Sequence, residues 1–437
     1  MQVSDNTVID LFKETYGQDH DLVPNDQQLE KDIPWEEKGK VGDKFKEDVI
    51  LGAEVGITFG GSAQNAFTIN PAIAGAVKQT EVEPYVSVLP SILPFATISR
   101  SMGDKVAFME ATKFITRNNL KSHSALKEIS RWYGQATEGL GYVSYATATY
   151  RGVSFTAGAA TLNGIVFATG GISAASKMIL LAPGSFAAGH WVGKKGIKVN
   201  QIATSSGLVV ASGKLVRPYA QFGYIEVDFT PVAASSATSH KLVFDGWETQ
   251  GEMFGVKYIL GTTGTVFGIN NSQYELFAGN LYACSGKLTL AKLQEGMANA
   301  VNCGGLEGAV NCYVNPRTWG TLANTEAGLR VYDKSYSPNN AANGFMDIEF
   351  YTQTGKITVK ATRNVKEGDA FVLKPEVWHR SGSAQVGFKV PGMGQDLIEQ
   401  LTNQAGYQFK SFSDEYIFTA EPNQNLYISG INDESAT

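Results

Sequence analysis

The chain is poor in the residue types that catalysis and metal binding use. Only 3 cysteines and 5 histidines occur in 437 residues. Cys284, Cys303 and Cys312 are odd in number and match neither a zinc-ligand spacing nor a disulfide framework, so buried thiols are expected. His20, His123, His190, His240 and His379 are scattered, with no pair at i, i+3 or i+4 and no carboxylate at motif spacing, so no metal site is readable. No G-x-S-x-G elbow occurs, which leaves a hydrolase nucleophile without support. Basic charge is not in excess. With 36 Lys and Arg against 42 Asp and Glu the formal charge is −6, which argues against a surface built to neutralise phosphates and allows only local, weak contact with nucleic acid. No apolar run approaches about eighteen residues without glycine or proline, and no membrane span is expected. The start, Met-Gln-Val-Ser-Asp-Asn-Thr, has neither the basic stretch nor the apolar core of a secretory signal, so a soluble chain made in a cytoplasm is expected.

Glycines and aromatics are plentiful. The 47 glycines, 23 phenylalanines and 18 tyrosines, with long Ala/Ser/Thr/Val/Gly runs, favour strands and turns over helix. A hydrophobic content of 43% over this length is enough for two or three compact units.

The most informative stretch runs from Val310 to Leu322, V-N-C-Y-V-N-P-R-T-W-G-T-L. Val310, Cys312 and Val314 alternate with Asn311 and Tyr313, the period of a strand with one buried face. Asn315 can accept from a free amide of the next turn, and Pro316 has no amide to lose, so the pair reads as N-cap and first helical residue. Trp319, Leu322 and Ala323 then share one helix face directed at the sheet. This is a packing corner with no chemistry in it.

Elsewhere the chain reads as follows. Residues 1 to about 50 are acidic and lysine-rich, with Pro24 and Pro34, and lack the apolar content to fold alone. They are expected to be an arm that lies on another surface, starting with a short helix around Val8, Leu11 and Phe12. From Gly56 to Ser101, Pro71, Pro84, Pro90 and Pro94 rule out a central strand. A projecting hairpin or loop is expected, with Val86, Val88, Leu89, Ile92 and Leu93 at an interface between subunits; a strand packed in the core stays open for the same residues. Leu126, Ile129, Trp132, Tyr133, Ala136 and Leu140 follow helical spacing, so a helix is expected over about Asn119 to Leu140. Short strands and turns mark roughly 150 to 245 as a β-rich unit. Leu290, Leu293, Met297 and Val301 share one face of a further helix, and Lys356 to Thr362 alternates as a strand with one wet face.

The strand followed by N-P-R-x-W and a helix resembles the axial domain of tailed-bacteriophage major capsid proteins, which have the Hong Kong 97-type fold. Other stretches support the resemblance in chain order. Phe67 to Ser101 resembles the family's extended loop, and the helix over Asn119 to Leu140 its spine helix. Lys287 to Asn302 resembles the helix before the axial strand. V-K-E-G-D-A-F-V-L (Val365 to Leu373), Val377-Trp378-His379-Arg380 and the ending Phe412 to Ile431 resemble its last strands.

The resemblance implies an α+β chain divided into an arm (1–55), an extended loop region (56–118), a spine helix and the start of a peripheral domain (119–150), a β-rich insertion (151–245), an axial domain (246–345) and closing strands (346–437). It implies self-assembly into pentamers and hexamers of an icosahedral shell around double-stranded DNA. Scaffolding, portal and decoration proteins are candidate partners, and with only a short arm after Met1 a separate scaffold is allowed. The implied location is the virion, with assembly in a host cytoplasm. An encapsulin-like compartment and a β-rich surface or carbohydrate-binding protein are the alternatives.

Two motifs bear on chemistry. Gly189-His190-Trp191-Val192-Gly193-Lys194-Lys195 is similar to a phosphate-binding loop, but its first gap is one residue short and no Ser or Thr follows the lysine; with Lys198 it reads better as a basic turn. Glu226 and Asp228 share a strand face, which reads as solvated more readily than as a carboxylate pair. No catalytic, cofactor-binding or metal-binding residue and no cofactor is therefore expected.

Overall fold

The structure is a computed structural model. It describes residues 26–37, 44–60, 68–94, 105–145, 149–150, 153–154, 159–162, 165–168, 172–327, 348–352, 355–388, 398–400 and 406–433. The expected helix around Val8 to Phe12, and His20, lie outside the described residues. The α-helices are α1 (Gln28–Asp32), α2 (Lys105–Tyr133), α3 (Ala188–Trp191), α4 (Val256–Ile259), α5 (Leu290–Gly304) and α6 (Pro316–Ala327).

The long helix α2 begins at Lys105 and not at Asn119. Val106, Phe108, Met109, Phe114 and Ile115 do not fall on one 3.6-residue stripe, so periodicity hides this first half. It ends at Tyr133 and not at Leu140. A Cβ on Gly134 would lie 2.0 Å from the Met253 carbonyl oxygen, and Gln135 takes a left-handed φ of 55°. The chain therefore turns where another backbone strand of loop passes close by.

The organising corner forms as read, with one correction. Strand Val310–Val314 leads into α6, Asn315 Oδ1 accepts from the Arg317 amide at 3.0 Å, and the Asn315 side-chain amide donates to the Val365 carbonyl at 2.8 Å. The strand is central in a six-stranded sheet, parallel to Gly355–Ala361 and antiparallel to Ala370–Leu373, and both its faces are buried. Val310, Cys312 and Val314 pack with Leu293, Met297 and Leu322 of α5 and α6. Tyr313 on the other face meets Trp132 of α2, ring centroids 5.2 Å apart. Thr318 and Leu322 carry the burial of α6, whereas Trp319 is half-buried. Helix α5 follows the expected face, with Thr289 as N-cap and Gly305 left-handed at its end.

Tyr85–Pro94 corrects a larger expectation. All ten residues pair antiparallel with Gly406–Glu415, making an edge strand of the sheet that also holds Trp378–Gly387 and Ile398–Gln400. Pro90 and Pro94 are tolerated because an edge strand has an unpaired side. The projecting element is instead an antiparallel hairpin of Phe45–Ile50 with Val77–Val82.

A nine-stranded antiparallel sheet runs from Gly141–Tyr142 at one edge to Ala159–Leu162 at the other, and includes His240–Phe244, Lys198–Ala203, Val209–Tyr219 and Tyr224–Val227. Its own core gathers Trp191, Leu181, Ile225 and Leu242. The segment 250–279 packs instead with α2 and the edge-strand sheet, through Val256, Ile259, Phe267 and Phe277. The six-stranded sheet thus starts at Asn280, later than the expected boundary at 246.

Candidate assembly surface and the buried seam beneath it

The hairpin is fixed at its base and bare along its length. Phe45, Thr80 and Val82 are buried, and Phe45 lies 4.7 Å from the Tyr416 ring. Lys44 pairs with Glu81 at 2.8 Å and Glu83 at 3.0 Å across the root. Beyond the root, backbone bonds continue through Leu51 to Ala76 and Val55 to Ile73, and the Asn70 side chain donates to the Ile57 carbonyl at 3.0 Å. Along this stretch Ile50, Val55, Ile57, Phe59, Ile69, Ile73 and Val77 are each 55–86% exposed. A contiguous exposed apolar set on an ordered element marks an interaction surface. Five of the seven, Ile57, Phe59, Ile69, Ile73 and Val77, fall within the expected loop from Gly56 to Ser101, and Ile50 and Val55 extend the surface toward the first strand of the hairpin; of the residues expected on that loop, Val86 and Val88 are also exposed.

Beneath it lies a seam of buried charge. The Arg131 guanidinium, 0% exposed, donates to Glu128 and Glu30 at 3.0 Å each and to both oxygens of Glu415 at 3.0 and 3.2 Å. Three elements meet there: α1, α2 and strand Gly406–Thr419. Burial alone would raise the carboxyl of Glu415, but Arg131, Lys127 and Arg380 outweigh it and hold the pKa below the ordinary value. Glu30 follows the same balance, with Arg131, Ser124 and Arg380 opposing burial. Leu29 donates its amide to Glu128 at 2.7 Å, and Asp32 accepts from Lys360 at 2.8 Å and from the Tyr313 hydroxyl at 2.5 Å. Residues 26–37 therefore belong to the chain's own core, which corrects the expectation that the whole arm works only between subunits. A second node joins Lys257 to Glu138 and to Asp369 at 2.9 Å, with Tyr133 and Tyr427 donating to Asp369 at 3.0 and 2.7 Å.

The candidates from sequence are dispersed. His123 sits between Ser87 Oγ at 2.7 Å and Ser411 Oγ at 2.8 Å, and burial first, then Lys127, pulls its pKa down to about 4. His190 faces the Asn364 carbonyl at 2.9 Å, His379 lies 3.0 Å from Glu36, and His240 stands beside Ser239. Cys284 and Cys312 are buried, but Cys303 is exposed, contrary to expectation. The glycines of the loop-like run have packing reasons: a Cβ on Gly189 would lie 2.2 Å from Asn364 Oδ1, and Gly193 has φ 82°. Lys198 pairs with Asp245 at 2.7 Å. Glu226 accepts weakly from the Tyr219 hydroxyl at 3.5 Å, while Asp228 accepts the Lys214 amide at 2.5 Å across the paired strands. Among the described residues no three His, Cys, Asp or Glu side chains gather as a metal site, and no helix is long and apolar enough to cross a membrane.

The arrangement of a long helix, an edge-strand sheet, a mixed six-stranded sheet and a two-stranded hairpin, together with the nine-stranded antiparallel sheet, is the Hong Kong 97-type capsid fold. The chain is similar in structure to the solved "Cyanophage A-1(L) capsid asymmetric unit", with a TM-score of 0.53 and 9% identity over 96% of this chain and 97% of that one. Looser likenesses are to a capsid of a native GTA particle (TM-score 0.46, 6% identity, 96% and 94% covered) and to the capsid of Myoviridae phage XM1 (0.43, 8%, 95% and 95%). The fold assignment rests on the first. No protein-family model and no curated protein matches the chain in sequence.

Proposed function

We propose that the chain is a major capsid protein that self-assembles into an icosahedral shell enclosing double-stranded DNA, and that it is not an enzyme. The observation that carries this is the anchored hairpin with its seven exposed apolar side chains, which a monomer leaves in water. The fold shared with a cyanophage capsid subunit supports it. In this reading the hairpin lies across a neighbouring subunit, the six-stranded sheet and its helices form the axial domain, α2 and the edge-strand sheet form the spine and peripheral domain, and the nine-stranded sheet is the insertion. Pentamers and hexamers are the self-association states, and scaffolding, portal and decoration proteins are further partners in the virion. DNA is met by weak, sequence-independent contact, consistent with the net charge of −6. Assembly takes place in the host cytoplasm. Obligate interfaces of this kind bury on the order of 2,000–5,000 Å². Negative-stain microscopy of the expressed full chain is the test: closed shells are expected, and monomers at every concentration would overturn the proposal.

A further inference from the structure

Between α2, the turn after α3 and the segment entering α1 lies a cavity of about 290 Å³ whose wall brings together Lys194, Lys195 and Arg363. None of the three pairs with a carboxylate of the described residues. Among the described residues Lys194 Nζ donates to the Gly189 carbonyl, at 2.5 Å, and burial first, then Arg363, pulls its pKa down to about 8. Asp26 lines the same cavity and sets one negative charge against the three cations, while accepting from the Thr362 hydroxyl at 2.9 Å and the Arg363 amide at 2.7 Å, so a cationic excess remains. Like charges gathered in a partly buried place are costly without a counter-charge. Leu126, Val192 and Ile197 form an apolar floor. A bare phosphate gains nothing from such a floor, whereas an acidic peptide with an aliphatic side chain fits both parts.

The sequence just before Asp26 has this chemistry. Residues 1–25, which lie outside the described ones, carry Asp5, Asp10, Glu14, Asp19 and Asp21 against Lys13, and Asp19-His20-Asp21-Leu22-Val23 ends three residues before Asp26. Five extended residues reach roughly 17 Å, so from Asp26 the chain can bring Asp21 to any part of this cavity. We propose that the cavity is a docking site for the chain's own segment Asp19–Val23, its two carboxylates meeting Lys194, Lys195 and Arg363 and its aliphatic side chains meeting the floor. The docking ties the N-terminal arm to the inserted unit within one subunit and does not depend on the capsid reading.

The test is zero-length carbodiimide cross-linking of the full chain, read by mass spectrometry on a mixture of ¹⁵N-labelled and unlabelled protein. Amide links from Asp19 or Asp21 to Lys194 or Lys195 are expected within single chains. Cleavage by an aspartate-directed protease at Asp19 and Asp21 is expected to speed at least tenfold in Lys194→Glu/Lys195→Glu/Arg363→Glu. Should the triple variant not fold, Lys195→Glu alone, at an exposed position, gives the same readout. Absence of the links, links only between labelled and unlabelled chains, or unchanged cleavage overturns the proposal. So does shielding of Lys194 and Lys195 from acetylation by a DNA duplex that deletion of residues 1–25 leaves unaltered, because the occupant is then nucleic acid.

Discussion

Two regions of this chain treat water in opposite ways. In the seam, charged groups are removed from solvent altogether: Arg131, Glu128 and Glu415 are fully buried and answer one another. In the hairpin, Ile50 and Val77 at the end of the paired strands, and Val55, Ile57, Phe59, Ile69 and Ile73 on the segments that extend from them, stand in solvent. Buried charge persists only where its partners come with it, so the seam is completed inside one chain. The exposed apolar side chains of the hairpin have no such cover among the described residues, and in the proposed reading a neighbouring subunit supplies it. On that reading the difference separates what holds the subunit together from what joins it to others.

The largest expected effect comes from breaking the seam at its centre. Arg131→Leu strands Glu128 and Glu415 in the interior, and should cost about 3–5 kcal/mol in urea unfolding of unassembled chains. A loss under about 1 kcal/mol would show that the carboxylates find other partners, and that the seam is not what binds α1, α2 and the strand Gly406–Thr419. Leu29→Ala comes next, at about 2–5 kcal/mol, because Leu29 is 1% exposed in the same core as Trp132. Removing residues 1–50 should therefore unfold the subunit. The sequence suggested the reverse, since an acidic stretch with few aliphatics gives no hint that two of them, Leu29 and Ile33, sit in the core and that Asp26, Glu30 and Asp32 meet fixed cations and donors.

A smaller effect separates the seam from a carboxyl that lacks its pairing. Burial pushes Glu252 up to about 7, and its Oε2 has no partner among the described residues. A carboxyl whose folded pKa is raised costs nothing below its ordinary value of 4.5, destabilises progressively as pH rises from there to about 7, and costs a constant amount above that. Glu252→Gln should thus raise stability by about 1–2 kcal/mol at pH 8 and by almost nothing at pH 4.5. Two carboxylates of the seam have the opposite sign, whereas burial raises the third, Glu128, against the pull of Arg131. Glu30 and Glu415 are lowered, so their contribution is present above the ordinary carboxylate value and is lost as pH falls below it. A Glu252→Gln variant with the same gain at both pH values would show that the effect is packing and not charge.

What was legible in the sequence was what depends on local rules. The corner at Val310–Leu322 declared itself because alternation, an Asn cap and Pro at the first helical position all act within a few residues. The extra burial of Tyr313 did not, since it depends on α2 crossing the second face of the sheet. Tyr85–Pro94 was hard for the same reason: its partner strand lies more than three hundred residues away, and prolines allow both a loop and an edge. The cationic cavity was half legible. Lys194 and Lys195 stood out as a basic turn, but Arg363 comes to them through strand order, which no spacing records.

The smallest expected effect on the folded subunit is the one that tests the comparison most directly. Ile57→Lys and Ile69→Lys place charges where the side chains already meet water, so neither creates a cavity nor buries an unpaired group. Urea midpoints of unassembled protein should stay within about 0.5 kcal/mol of wild type, as surface substitutions generally do. Sedimentation should nevertheless shift from shell-sized particles to capsomers or single chains, because in an interface the same charge is desolvated without a partner. Reversal of that pattern, with stability lost and particles still formed, would mean that the hairpin folds back on its own subunit and that its apolar side chains serve the monomer. If stability and assembly are both unchanged, these two positions lie outside the contact, and Ile50, Phe59 and Ile73 become the substitutions to make.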